Sequence, residues 1–267
     1  MIDVYFTYGL LIFIATVTAT YFIKLKLFGH ESYERVDKQG GSKLLSKNIM
    51  EMGYWMFIPL GDFCIKYKIS PNQITWTSSF IGFLSALFLS VGLFGIAAVL
   101  LAVSSTMDGL DGLVARKTGQ SSRAGEILDS SLDRYVDFFF LAGLVIYYRD
   151  SVSLVIIALL AILGSFMVSY STAKAEAMQI TPPRGSMKRS DRLAYLIIGG
   201  MLSSVSVAYI DSDTGYGIPM IAVILLIAIM ANYSAIQRLK ALTLSAETDT
   251  SKPSTTTTDQ ENNSITP

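Results

Sequence analysis

The chain has 267 residues, 51% of them hydrophobic and 16% charged, with 21 Lys and Arg balancing 21 Asp and Glu. Zero net charge excludes the bulk basic surface that binds nucleic acid, and the single cysteine, Cys64, excludes an intramolecular disulfide or a cysteine metal pair. Apolar runs of about 20 residues recur, the length that crosses a bilayer as a helix, so the sequence reads as an all-α, polytopic membrane bundle.

Residues 5–23 form the first apolar run. They lack the basic start and small-residue cleavage site of a secretory signal, so a retained span is expected. Residues 24–70 are charged and broken by Gly40 and Gly41. In their second half Leu44, Leu45, Ile49, Met52, Trp55 and Met56 mix with Lys43, Lys47 and Glu51 at roughly helical spacing. That pattern predicts an amphipathic helix lying in the membrane surface. The lone His30 reads as a solvated or interfacial histidine, and Cys64 as a small buried apolar residue.

Ser70, Pro71, Asn72, Gln73, Ile74 and Thr75 open the next element. Ser70 can cap a helix, and Pro71 fits a first turn, where no N–H partner is needed. Core spans are expected at 76–93 and 94–107, joined by an uncharged turn around Gly92, and then at 127–148, 152–170, 193–210 and 218–235. A polar stretch, 171–192, separates the fourth from the fifth and holds Pro182, Pro183, Arg184, Lys188, Arg189 and Arg192. From Ser245 onward the chain is rich in Thr, Ser, Asp and Asn, a composition expected to stay disordered. No internal repeat is visible. The expected organisation is an N-terminal span with an interfacial helix (1–69), a membrane domain of six core spans (70–242) and a polar tail (243–267).

With seven spans, one face receives residues 24–70, the link 116–123, the loop 171–192 and the C-terminal end. All of the 21 Lys and Arg lie on or near that face except Arg149. Cytoplasmic loops carry the Lys/Arg excess, so that face is expected to be cytoplasmic, with the N-terminus outside.

Four aspartates crowd the same face. Asp108 and Asp111 are three residues apart and Asp129 and Asp133 four, so each pair shares one side of its helix. The short link between them, 117–124, keeps the two helix ends together. Four carboxylates converging on a small volume cannot all stay ionised without a cation. Hard oxygen ligands of this kind suit Mg²⁺ or Mn²⁺, and four can hold two ions.

The stretch 108–133 carries the pattern D-x2-D-G-x2-A-R-x8-G-x3-D-x3-D, here Asp108, Asp111, Gly112, Ala115, Arg116, Gly125, Asp129 and Asp133, with no departure at a fixed position. It resembles the signature of the CDP-alcohol phosphotransferase family. The resemblance implies an integral membrane enzyme of phospholipid synthesis. Such an enzyme moves a phosphatidyl group from a CDP-alcohol such as CDP-diacylglycerol to an alcohol acceptor (inositol phosphate or glycerol phosphate among the candidates) and releases CMP. By the same resemblance Asp108, Asp111 and Asp129 are principal ligands of two Mg²⁺ or Mn²⁺ ions, and Asp133 is the general base and a neighbour of the second ion. Pro71, Asn72, Gln73, Ile74, Thr75, Gly112, Arg116 and Ser122 fall where family members hold the CDP-lipid. A homodimer in a bacterial or archaeal cell membrane, with its site on the cytoplasmic side, is also implied.

Two further stretches are similar to bacterial and archaeal members that resemble phosphatidylinositol phosphate synthases. Ser169, Tyr170, Ala173, Lys174, Ala175 and Glu176 form one, with Thr172 where a cation is common. Gly185 to Leu193 form the other, with Asp191 in place of the usual Glu. They imply an acceptor site at Lys174, Lys188, Arg189 and Arg192. Two other classes compete. A cation transporter should place its carboxylates near the midplane of repeated halves, whereas these crowd one end. An inactive scaffold on the same fold should have lost a motif aspartate, and none is lost.

Overall fold

The computed structural model describes residues 2–29, 33, 36, 46–180, 185 and 187–250, the last five by backbone alone. His30, Lys43, Leu44, Leu45, Pro182, Pro183, Arg184 and the tail beyond Thr250 lie outside the described residues. Among those described, the secondary structure is helical: α1 Ile2–Phe28, α2 Lys47–Lys66, α3 Pro71–Ser90, α4 Phe94–Lys117, α5 Arg123–Tyr147, α6 Val152–Ala177, α7 Arg189–Tyr209 and α8 Ile218–Thr250. Five of them, α1, α4, α6, α7 and the Ile218–Ser245 part of α8, are long and apolar enough to cross a membrane. Large apolar side chains such as Phe13, Ile146, Leu163 and Ile229 point outward from the bundle, as lipid-facing positions require. Helices α3 and α5, of 20 and 25 residues, are of similar length. Both carry polar groups that face inward, among them Ser78, Ser79 and Ser85 on α3 and Asp137 on α5.

Local chemistry sets the helix starts. Ser70 Oγ accepts from Gln73 N at 3.3 Å while Gln73 Oε1 accepts from Ser70 N at 2.9 Å, a reciprocal cap with Pro71 in the first turn. The turn to α4 passes through Gly92 at φ +82°, which glycine adopts without strain. Ser122 Oγ caps α5 by accepting from Gly125 N at 3.1 Å.

Inside lipid no hydrophobic drive separates helix from tail, so small residues and interhelical hydrogen bonds must hold the bundle. Helix α3 lies against both α4 and α5. There Gly82 meets Val136 and Gly143 meets the backbone of Ala86, each too close to admit a β-carbon without movement. Ser78 Oγ donates to Ser104 O and Ser104 Oγ to Ser78 O, both at 2.9 Å, and Ser85 Oγ donates to Ala97 O at 2.7 Å. Helix α6 packs on α8, and α7 on α4 and α8, around a core that includes Leu89, Phe94, Phe140, Leu144, Ile224 and Ile227.

Helix α1 is tied to this core at its N-terminal end. Asp3 accepts from Gly95 N and Ile96 N, each at 2.9 Å, and so caps the start of α4. Replacing Asp3 with Ala leaves two N–H groups of α4 without that acceptor. Loss of a cap costs about 0.5–2 kcal/mol, so Asp3→Ala is expected to lower the apparent melting temperature in detergent by a few degrees. An unchanged melting curve would mean that α1 is not anchored there.

Two expectations change. The helices outrun the apolar runs, and they do so at one end of the bundle. Helix α4 continues past Met107 to Lys117, α5 begins at Arg123 rather than near Ile127, and α6 reaches Ala177 through a stretch expected as loop. Helix α7 begins at Arg189 rather than Leu193, and α8 runs past Ala235 to Thr250, beyond Ser245 where disorder was expected. Hydropathy reports bilayer thickness, whereas the backbone hydrogen-bond ladder continues wherever no residue stops it. The second change concerns α2. Glu51, expected on a polar face, is buried, while Ile49 is 44% exposed. The face that meets α4 is built instead from Phe57 against Gly109, Gly61 against Leu113, and Cys64, with Lys117 Nζ paired to Asp62 at 2.7 Å.

Candidate active site

The extended helix ends place the site. Asp108 and Asp111 lie on the overrun of α4 and Asp129 and Asp133 on the opening turns of α5, the two joined by the short turn through Gly119. One carboxylate oxygen each from Asp108, Asp129 and Asp133 falls within 4.8 Å of the others, and all three residues are half-buried. Asp111 takes a different posture. It is buried, accepts from Thr75 Oγ1 at 2.6 Å and from Gly112 N at 2.5 Å, and stands close enough to feel the charges of Asp129 and Asp108. The structure therefore brings three of the four together and holds the fourth beside them. An all-oxygen, all-anionic donor set of this size fits a hard divalent cation.

Arg189, at the start of α7, reaches into the same cluster. Its NH1 lies 3.0 Å from Asp108 Oδ2 and 2.9 Å from Asp133 Oδ1, and its Nε donates to Asp137 Oδ1 at 3.2 Å. Arg192 NH2 donates to the other oxygen of Asp137 at 2.9 Å. Sequence reading did not select Asp137. It stands one helical turn beyond Asp133, among Val136, Phe138, Phe139 and Phe140, and a charge in so apolar a run was the available signal. Lys174 is exposed and makes no ion pair among the described residues, and Lys188 contributes the backbone N that donates to Asp191 Oδ2 at 3.1 Å. Of the four expected acceptor residues, Arg189 and Arg192 meet at the site.

Arg238, on α8, is a second residue that sequence reading missed. Its NH1 donates to Thr172 Oγ1 at 2.6 Å, and Arg192 is its like-charged neighbour. Arg192 NH1, Arg238 Nε and Ser234 Oγ are buried without a hydrogen-bond partner among the described residues. Gly185 passes so near that a β-carbon there would collide with Ser234 and Arg238. Two guanidinium groups and a hydroxyl with donors to spare make a local environment for an anion.

The residues expected at the CDP-lipid divide by environment. Asn72, Arg116 and Ser122 are exposed at the rim, with Asn72 Oδ1 beside Gly125. Gln73 is engaged in the α3 cap, and Ile74 is buried against Leu110, Leu113 and Val114. Thr75 acts on Asp111. Pro71 and Gly112 lie half-buried at the α3 start and on α4.

Residues 68–232 match the CDP-alcohol phosphatidyltransferase family profile, well over half of the chain. The chain belongs to the CDP-alcohol phosphatidyltransferase family. The matched residues contain all four motif aspartates, Asp137 and both α7 arginines, while α1, α2 and Arg238 lie outside them. Phosphatidylinositol phosphate synthase from Corynebacterium glutamicum is 31% identical over 188 residues, covering 68% of this chain and 81% of that protein. Archaetidylinositol phosphate synthase from Pyrococcus horikoshii is 34% identical over 155 residues, covering 55% and 78%. A bifunctional IPC transferase and DIPP synthase from Archaeoglobus fulgidus is 37% identical over 153 residues, covering 54% of this chain and 30% of that protein. The chain thus spans under a third of that curated relative.

Among solved structures, Mycobacterium tuberculosis phosphatidylinositol phosphate synthase in complex with manganese and citrate is similar with a TM-score of 0.63 and 24% identity, over 70% of this chain and 88% of that one. The same protein with CDP-DAG bound gives a TM-score of 0.61, over 69% and 92%. At that identity the likeness speaks for the fold. In this chain Arg238 brings a guanidinium to the Thr172 hydroxyl from α8.

Proposed function

We propose that the protein transfers a phosphatidyl group from a CDP-diacylglycerol-type lipid to a phosphorylated alcohol, inositol phosphate foremost, with release of CMP. The observation that carries the reading is the meeting of Asp108, Asp129 and Asp133 within 4.8 Å, with Arg189 at their edge, at the helix ends where the bundle leaves its apolar zone. A donor set for a hard cation beside guanidinium groups with donors to spare is what a phosphoryl transfer between two charged substrates requires.

Asp133 accepts the proton of the attacking hydroxyl. The hydroxyl oxygen bonds to the phosphorus that carries the diacylglycerol, and the bond from that phosphorus to the bridging oxygen breaks, so CMP departs with both electrons. Asp108, Asp111 and Asp129, with Asp133 beside them, would hold Mg²⁺ or Mn²⁺, two ions at most, and the bound metal would neutralise the diphosphate and the leaving phosphate. Arg116 offers a planar fork at the rim to a substrate phosphate. Asn72, Gly112 and Ser122 border the space for the nucleotide. Arg189, Arg192 and Arg238 receive the acceptor's phosphate, with Lys174 and Lys188 on the approach to it.

We read α1 and α3 to α8 as seven spans with α2 lying in the interface. The Lys/Arg excess puts the site on the cytoplasmic face, where a cytidine nucleotide is available, and two copies pair in the membrane.

Chelation tests the metal assignment. EDTA is expected to abolish CMP release from CDP-diacylglycerol, and Mg²⁺ or Mn²⁺ to restore it. Metal affinity should also fall as pH falls, because the ligands must be deprotonated. Undiminished release in excess chelator would remove the metal from the account.

A further inference from the structure

We propose that Asp137 is a positioning residue for the two α7 arginines, holding Arg189 on the carboxylate cluster and Arg192 beside Arg238, where donors to spare would take an anion. The inference rests on the transferase reading for its kinetic arm alone. Asp137 is 6% exposed, and both of its oxygens are committed: Oδ1 to Arg189 Nε at 3.2 Å and Oδ2 to Arg192 NH2 at 2.9 Å. Arg189 and Arg192 are three residues apart on the first turn of α7, so their guanidinium groups share a face and repel. A carboxylate between them removes the repulsion and sets the azimuth of each planar fork.

Each arginine has nitrogens left over after that contact. NH1 of Arg189 lies on Asp108 and Asp133. NH1 of Arg192 is buried and has no partner among the described residues, and its like-charged neighbour Arg238, together with Ser234 on the same helix, also has donors to spare. Asp137 thus takes one side of each fork, leaving the other side of Arg189 to Asp108 and Asp133 and that of Arg192 free for an anion. It is not one of the three carboxylates that approach within 4.8 Å of one another, so its effect runs through the arginines. Neutralising it should loosen both forks while the metal ligands stay in place.

The test compares full-length wild type, Asp137→Asn and Asp137→Glu in mild detergent, with three readouts. Sulfate is titrated calorimetrically into protein holding CMP and Mg²⁺. Mn²⁺ affinity is read by electron paramagnetic resonance, and KM for inositol phosphate is separated from kcat. For Asp137→Asn the sulfate Kd and the acceptor KM are each expected to rise at least tenfold, with Mn²⁺ affinity within threefold of wild type and kcat lowered by less than KM is raised. Asp137→Glu, which keeps the charge, should recover part of the loss. Adding Asp137→Asn to Arg192→Gln should cost little more than Arg192→Gln alone, because two changes on one contact are not additive. Unchanged sulfate binding in Asp137→Asn, or an Mn²⁺ loss as large as the sulfate loss, would overturn the proposal. Wild type that binds sulfate in this Asp137-dependent way yet transfers to no acceptor would instead count against the transferase reading and leave the positioning role standing.

Discussion

Asp133→Asn is expected to lower kcat by about 10²–10⁴-fold, the range for loss of a general base, equivalent to about 3–5 kcal/mol of barrier, while CDP-lipid binding survives. Asp133 is the motif aspartate of α5 that touches Arg189, at 2.9 Å, so it lies on the side from which the acceptor would approach. Asp108→Asn separates ligand from base. It removes a charge from the metal cluster and should weaken Mn²⁺ and CDP-lipid binding together. Titration of both variants with CMP and Mn²⁺, beside single-turnover transfer rates, checks the distinction. If both lose nucleotide binding to the same degree, the four aspartates act as one metal cluster and Asp133 has no separate role.

Arg192→Ala is expected to raise the KM of a phosphorylated acceptor by tenfold or more with a smaller change in kcat. A charge-assisted hydrogen bond contributes about 1.5–3 kcal/mol, which is the origin of the factor. Arg189→Ala should raise the same KM and, because Arg189 also touches Asp108 and Asp133, disturb turnover as well. A neutral acceptor such as inositol should show no rise in KM in either variant. Acceptor kinetics unchanged in both variants would leave these arginines as topology signals and remove the inositol-phosphate assignment.

The parts of the molecule that were legible in the sequence are those set by local chemistry. Ser70 and Pro71 announce a helix start because a cap and a first turn favour those side chains, whereas the reciprocal contact of Gln73 emerged with the structure, and Gly92 marks a turn that glycine takes without strain. The aspartate spacing announced a shared face on each helix, and the structure brings Asp108, Asp129 and Asp133 together. Asp111 turned to Thr75 instead because the α3–α4 crossing, a tertiary contact, puts that hydroxyl 2.6 Å away. The helix ends at the site were missed because apolar length measures lipid thickness, and the working turns of α4, α5 and α7 extend beyond it. Asp137 lies four residues past the motif and was missed, its charge among apolar neighbours being the one signal available. Arg238 resembled every other basic residue on its face until α8 carried it to Thr172. Such pairings between distant helices have no periodicity to read.

Product analysis tests the central claim most directly. Purified protein is given CDP-diacylglycerol labelled in its lipid-linked phosphate, with inositol phosphate, glycerol phosphate and inositol as separate acceptors, in Mn²⁺ and in chelator. The expected result is CMP and a labelled phosphatidyl-acceptor lipid in equal amounts with a phosphorylated acceptor and Mn²⁺, and neither in chelator. CMP accompanied by phosphatidic acid whichever acceptor is present, or no labelled lipid product with any of them, would contradict it.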